Sequence, residues 1–208
     1  MAATVREVTP TRSAAIELAD ERKLMRQGYE FLDEKRMLLA AEMLRQLRSY
    51  EERSAQLIAE TTSAAATLAA AVERHGFDQL QVHPLPESPS KPDVERTLFL
   101  GLTMRWLRAP SHPLTDAPPG MDPSPELKAC RAAFARLLWT AADVGARAAN
   151  LHRLAHEYRR AERRARALEK VLLPEVEDAM RRVDEQLDTM DREDVIRSRW
   201  SRTAGKPA

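Results

Sequence analysis

His152 and His156 stand four residues apart, a spacing that turns both imidazoles to one side of a helix. A metal centre on that face needs a third ligand, and Glu157 points elsewhere. His156-Glu157 also differs from the zinc-protease pattern, in which the second His follows the Glu by three residues. The pair therefore reads as solvated helix surface. Cys130 is the one thiol, set in a run of Ala and Leu where buried, inert thiols are commoner than nucleophiles. Ala204-Gly205-Lys206 stops short of a phosphate-binding loop, because the first Gly is missing and Pro207 stands where a hydroxyl is needed. The six glycines never cluster into a dinucleotide fingerprint. Paired carboxylates are frequent, but on a charged helix they are a solvated face. No catalytic residue, metal site or cofactor is predicted, and the enzyme class has the least support.

Charge offers two further candidates. Arg159, Arg160, Arg163, Arg164, Arg166 and Lys170 form a basic stretch diluted by Glu162 and Glu169. It is either a phosphate stripe or the flank of a coiled coil facing acidic residues of another helix. After Asp194 the chain holds Arg197, Arg199, Arg202 and Lys206 without an acid, and carries Trp200. A basic end with an aromatic anchor either docks on an acidic protein surface or frays into solvent. Over the whole chain, 33 basic residues balance 32 acidic ones, which excludes a generally electrostatic nucleic-acid binder. One Cys excludes an intramolecular disulfide framework and a Cys-rich zinc site. No apolar stretch reaches the about 18 residues that a membrane span needs. Residues 1–10 lack the apolar core of a secretory signal. The expectation is a reduced, cytosolic protein without direct membrane insertion.

The elements that carry these residues are helices. Ala, Glu, Lys, Leu and Arg make up more than half of the 208 residues, whereas Leu, Val, Phe and Ile supply about a fifth. Ala-rich apolar content suits thin helix seams and fills too little volume for a thick α/β core. Ten of the thirteen prolines fall between Pro84 and Pro125, where each removes a backbone donor and interrupts helix. Thr9-Pro10-Thr11-Arg12-Ser13 is a helix start and His75-Gly76 a helix stop. Between them Leu18, Met25, Leu32 and Leu39 recur every seven residues. The seam then continues through Met43, Leu47, Tyr50, Ser54, Leu57, Thr61, Ala64, Leu68 and Ala71. That is a coiled-coil seam with one stutter near Met43. Leu127, Phe134, Leu137, Ala141, Val144, Ala148, Leu151, Ala155 and Tyr158 repeat the pattern. Ala165, Leu168, Leu172, Val176, Ala179, Val183, Leu187 and Met190 extend it, with Pro174 expected to kink or loosen the helix.

At 1.5 Å per residue each helix would run roughly 90 to 110 Å. Neither hides its seam alone, so the two pair antiparallel. The predicted fold is mainly all-α, a long antiparallel two-helix coiled coil with a small middle knob containing a short β-hairpin. Its parts are an N-terminal helix over 9–75, a Pro-rich knob over 76–124, a C-terminal helix over 125–200 and a basic tail over 201–208. In the knob, Leu98, Leu100, Leu102, Met104 and Trp106 would share one face of a strand spanning Thr97 to Trp106. Phe77 to Val82 would pair with that strand.

Four segments resemble the D subunit of the V-type and A-type ATPases. They are Val8-Thr9-Pro10-Thr11-Arg12-Ser13-Ala14 and the run from Leu24-Met25-Arg26-Gln27-Gly28-Tyr29 to Arg36. The third runs from Glu157-Tyr158-Arg159-Arg160 through Leu168-Glu169-Lys170-Val171-Leu172-Leu173-Pro174, with its helix-embedded proline. The last is Asp191-Arg192-Glu193-Asp194-Val195-Ile196-Arg197. Leu98 to Pro110 is loosely similar to that family's short hairpin, with Gly101 in a comparable place.

The resemblance implies a non-catalytic rotor shaft that couples ATP hydrolysis or synthesis to proton or sodium translocation. It implies the catalytic A and regulatory B subunits, the F subunit and the rotor-ring adaptor as partners, no nucleic acid, and a cytoplasmic place peripheral to the membrane. Thr11, Arg12, Ile196, Arg197, Arg199 and Trp200 would form the tip inside the catalytic ring, and Leu100, Leu102, Met104 and Trp106 would shape the knob. A tethering helical scaffold or a nucleic-acid-binding coiled coil is the alternative.

Overall fold

The structure, a computed structural model, describes residues 8–80, 93–108 and 124–204. Helix α1 spans Arg12–His75 and is followed by the short α2, Phe77–Leu80. Strands β1 (Val94–Phe99) and β2 (Leu102–Leu107) form an antiparallel hairpin. Helix α3 (Pro125–Ala167) passes through a π-turn, Leu168–Leu172, into α4 (Leu173–Ala204). The fold is thus mainly α-helical, with long antiparallel helices and one small hairpin. The chain divides into two compact units, one holding α1 up to Leu38 with the chain from Tyr158 onward, the other Leu39–Glu157.

In the first unit the early part of α1 runs antiparallel to α4. Thr11 caps α1, its Oγ1 accepting the Ala14 N–H at 3.1 Å. Arg12 reaches Asp191 at 3.4 Å and Arg26 reaches Glu177 at 3.0 Å. Both pairs are exposed and fix alignment more than they stabilise. Leu18 packs with Val176, Ala179 and Val183, and Met25 and Leu187 flank them. Alanines at the contact keep this core thin and let the two backbones approach.

The π-turn has a sequence cause. Pro174 has no N–H to donate, and its ring would crowd the carbonyl four residues earlier. A wider turn removes both conflicts, and the Leu173 N–H bonds the Leu168 carbonyl five residues back. The loosening expected at Pro174 takes this form. The inserted residue displaces the seam only at the turn itself, and Val176, Ala179, Val183 and Leu187 beyond it hold the expected core. Leu172, expected in the core, is exposed, Leu173 is half-buried, and the next buried residue is Val176.

In the second unit the later part of α1 packs antiparallel on α3. Arg74 meets Glu126 at 2.6 Å, and the His75 ring nitrogen meets Ser124 Oγ at 2.6 Å. Gly76, at φ 73°, ends α1 with its N–H on the Val72 carbonyl. Ser124 caps α3, and Pro125 takes its first turn.

The buried residues correct parts of the expected seam. On α1 the heptads run unbroken through Leu18, Met25, Leu32, Leu39 and Gln46, which is buried. They resume at Leu57, Ala64 and Ala71, so the stutter falls after Gln46 and not near Met43. Leu47, Thr61 and Leu68 are exposed. On α3 and α4 the expected Phe134, Ala141 and Met190 are exposed, while Thr140, Asp143 and Asn150 are buried. Polar side chains hold core positions there, so a count of apolar residues slid to neighbouring rows.

The hairpin is also corrected. The residues Thr97 to Trp106 do not form one strand but fold back on themselves at Leu100-Gly101, with Phe99 opposite Leu102. Both turn residues have positive φ, 48° and 84°, as a two-residue hairpin turn of right-handed twist requires. Phe77 to Leu80 is helical and pairs with neither strand, and Val82 lies outside the described residues. Leu102, Met104 and Trp106 do share a face, but Leu98 lies on the other one and Leu100 sits in the turn.

Candidate partner-binding sites

The tip residues occupy one end of the first unit. Thr11 and Arg12 open α1, and Arg12 is level with Asp191. Beyond Leu187 every residue to Trp200 is exposed. Burial against α1 therefore ends there, with the exposed Arg12–Asp191 pair the last described contact between the two helices. Ile196 and Trp200 are large apolar groups, 56% and 74% exposed. Arg197 leans back to Asp194 at 3.6 Å. The predicted tip set is thus brought to one end and is exposed there, and the α4 backbone continues as helix to Ala204. Residues 205–208 of the expected tail lie outside the described residues.

The second candidate is the hairpin and the helices beneath it. Met104 is buried and plugs the hairpin onto the helices; Leu102 and Trp106 are half-buried, and Leu100 is exposed at the turn. The Trp106 Nε1–H donates to Thr97 Oγ1 at 2.9 Å, and the Arg147 guanidinium lies 5.6 Å from the Trp106 ring centroid. Arg147 also donates from Nε to Asp143 at 3.0 Å and from a terminal nitrogen to Ser49 Oγ. Arg53 reaches the same Asp143 oxygen at 3.5 Å. Buried Asn150 holds β2 directly. Its Oδ1 accepts the Arg105 N–H at 3.0 Å, and its Nδ2 donates to the Arg105 carbonyl at 2.7 Å. One side-chain amide thereby stands in for a neighbouring strand.

An open groove of about 470 Å³ runs beside this cluster, floored by Gln46, Ser49 and Met104. Arg45 donates two hydrogen bonds to Glu42, at 2.8 and 2.6 Å, and Gln46 Nε2 adds a third at 2.7 Å. The Arg45 bonds, opposed in part by burial and aided by Gln46, hold the Glu42 carboxyl below its ordinary range. Gln46 Oε1 is buried without a hydrogen-bond partner among the described residues.

Sequence reading missed Gln46, Asp143, Arg147 and Asn150. The available signal was heptad spacing alone: Asn150 follows Asp143 by seven residues, and Gln46 follows the apolar Leu39 by seven. The remaining sequence candidates stay apart. His152 and His156 are exposed, and Cys130 is buried. Arg159, Arg163 and Arg164 are exposed, while Arg166 pairs with Glu162 at 2.6 Å. Among the described residues no three potential metal ligands cluster, and no helix is long and apolar enough to cross a membrane.

Relatives share this layout of sequence over most of its length. The chain is 28% identical over 200 residues to the D subunit of the V-type ATP synthase of Anaeromyxobacter dehalogenans (strain 2CP-C), covering 91% of this chain and 92% of that protein. It is 26% identical over 196 residues to the D subunit of the A-type ATP synthase of Methanopyrus kandleri, covering 92% and 84%. It is 22% identical over 195 residues to the D subunit of the V-type ATP synthase of Thermotoga neapolitana, covering 91% and 94%. The sequence profile of the ATP synthase D subunit family matches residues 14–203, from the first turn of α1 to the last of α4, and the chain belongs to that family.

Proposed function

We propose that this chain is the central, non-catalytic rotor shaft of a V/A-type rotary ATPase, coupling ATP hydrolysis or synthesis in a catalytic ring to proton or sodium translocation. Family membership over residues 14–203 is the observation that carries the reading. Paired helices support it physically. Side-chain packing between two antiparallel helices resists bending and twisting better than one helix does, as torque transfer requires. The π-turn in one unit and the displaced stutter in the other each break the regularity of the helix surface, as a shaft that shows a threefold ring different faces in turn would need. On this reading 9–75 and 125–200 form the shaft, 76–124 a docking knob and 201–208 a basic tail.

The exposed end at Thr11, Arg12, Ile196, Arg197, Arg199 and Trp200 turns within a ring of catalytic A and regulatory B subunits. Leu100, Leu102 and Trp106 face the F subunit or the rotor-ring adaptor, and buried Met104 shapes the knob from within. The chain works at the cytoplasmic side of the membrane, held there through the complex and binding no nucleic acid. Removing residues 196–208 tests the tip. Expected is unchanged helix content by circular dichroism with ATP-driven ion pumping per ATP at least halved; unchanged pumping would contradict the tip assignment.

A further inference from the structure

The two outer edges of the hairpin are treated differently. The Arg105 N–H and carbonyl both bond Asn150, so they point away from β1. Arg105 stands opposite Arg96, and backbone direction alternates along a strand. The Arg96, Val94 and Leu98 backbone groups therefore point away from β2, along the free edge of β1. The Arg108 N–H on the Asp93 carbonyl, at 2.9 Å, fits the same alternation. Asn150 satisfies the middle outward-facing residue of β2. No described residue bonds the outward groups of β1, which leaves a row of unpaired strand donors and acceptors.

The solvent face beside that edge is charged and apolar together. Arg96 and Arg105 lie directly across from each other in a pair without mutual hydrogen bonds, where side chains are closest. Both are exposed, and among the described residues neither makes an ion pair. Like charges in such a position oppose hairpin formation. Leu98 beside them is 76% exposed, and Val94 is also exposed. An open edge, two adjacent guanidinium groups and a bare Leu call for one kind of occupant.

We propose that the β1 edge accepts an extended segment of a partner protein as a third strand. That segment places a carboxylate between Arg96 and Arg105 and an apolar side chain on Leu98. Main-chain bonds supply the affinity, and the charge and the Leu supply the selectivity. The flanks of the hairpin in this chain are poor substitutes, because Pro84, Pro86, Pro89 and Pro92 on one side, like Pro110 and Pro113 on the other, offer no N–H. Strand docking of this kind involves the hairpin alone and does not require the chain to turn as a shaft.

The test uses the complex that a tag on this chain recovers from the cells that make it. Amide exchange is compared residue by residue with the isolated full chain. In the isolated chain the Arg96 and Leu98 amides exchange fast, while Glu95 and Thr97, bonded within the hairpin, are protected. In the complex Arg96 and Leu98 become protected as well. Two variants separate docking from folding. Leu98→Pro removes an outward N–H together with the bare Leu side chain and leaves the hydrogen bonds within the hairpin, and Arg96→Glu with Arg105→Glu reverses the charge. Each keeps Glu95 and Thr97 protected in the isolated chain and weakens retention of the partner at least about tenfold. Unchanged exchange at Arg96 and Leu98 in the complex, recovery of the chain alone, or full retention by both variants overturns the proposal. So does protection that appears only through pairing of two copies of this chain.

Discussion

Asn150 shows how much one polar side chain can position. It is fully buried, and its amide satisfies both backbone groups of Arg105 while Oδ1 also accepts from Arg153 at 3.0 Å. Asn150→Ala leaves a strand N–H and carbonyl without partners, at a cost of about 2–3 kcal/mol. Amide exchange should show that loss first in β2, with α1 and α4 unaffected; equal loosening of every element would contradict the role. Such residues were hardly legible in the sequence. Asn150, Gln46 and Thr140 are polar, and a search for apolar periodicity steps over them to Leu151, Leu47 and Ala141, which are more exposed. The turn was hidden for a related reason. Leu100-Gly101 lacks the Asn or Asp that usually marks a two-residue turn, so the run of strand formers around it read as continuous.

At the scale of the element, long helices were legible because alanine, charge and proline all agree on them. Prolines bounded α1 and α3 from the Pro-rich middle, and Pro174 marked the irregular turn to within two residues of its end. The exchange of Leu172 for Leu173 at the turn was not legible, because the sequence does not say whether a helix meets an internal proline by bending or by widening. Gly28 offers a test of how tightly α1 meets that turn. A Cβ built there would lie 3.7 Å from Leu168 Cδ1, ordinary contact with no clash. Gly28→Ala should therefore stabilise the chain by about 0.5–1 kcal/mol through the helix preference alone. A lower midpoint in denaturant unfolding would show that α1 and the π-turn meet more closely than these distances allow.

For the molecule as a whole, function was legible mainly through resemblance. Periodicity yields long paired helices and no chemistry; the four matching segments supplied the family, and the profile over residues 14–203 establishes it. Near-equal acid and base, exposed ion pairs and a thin alanine-rich core agree with the shaft proposed above, which would have to slide against its neighbours. On the proposed function this chain turns within its complex. A bead fixed to the hairpin region through Arg108→Cys, on a complex immobilised through its ring, would show that directly under a microscope. A rotor shaft gives one-way rotation on adding ATP, with pauses at three positions per turn. A bead that stays fixed while the same complexes hydrolyse ATP would contradict it.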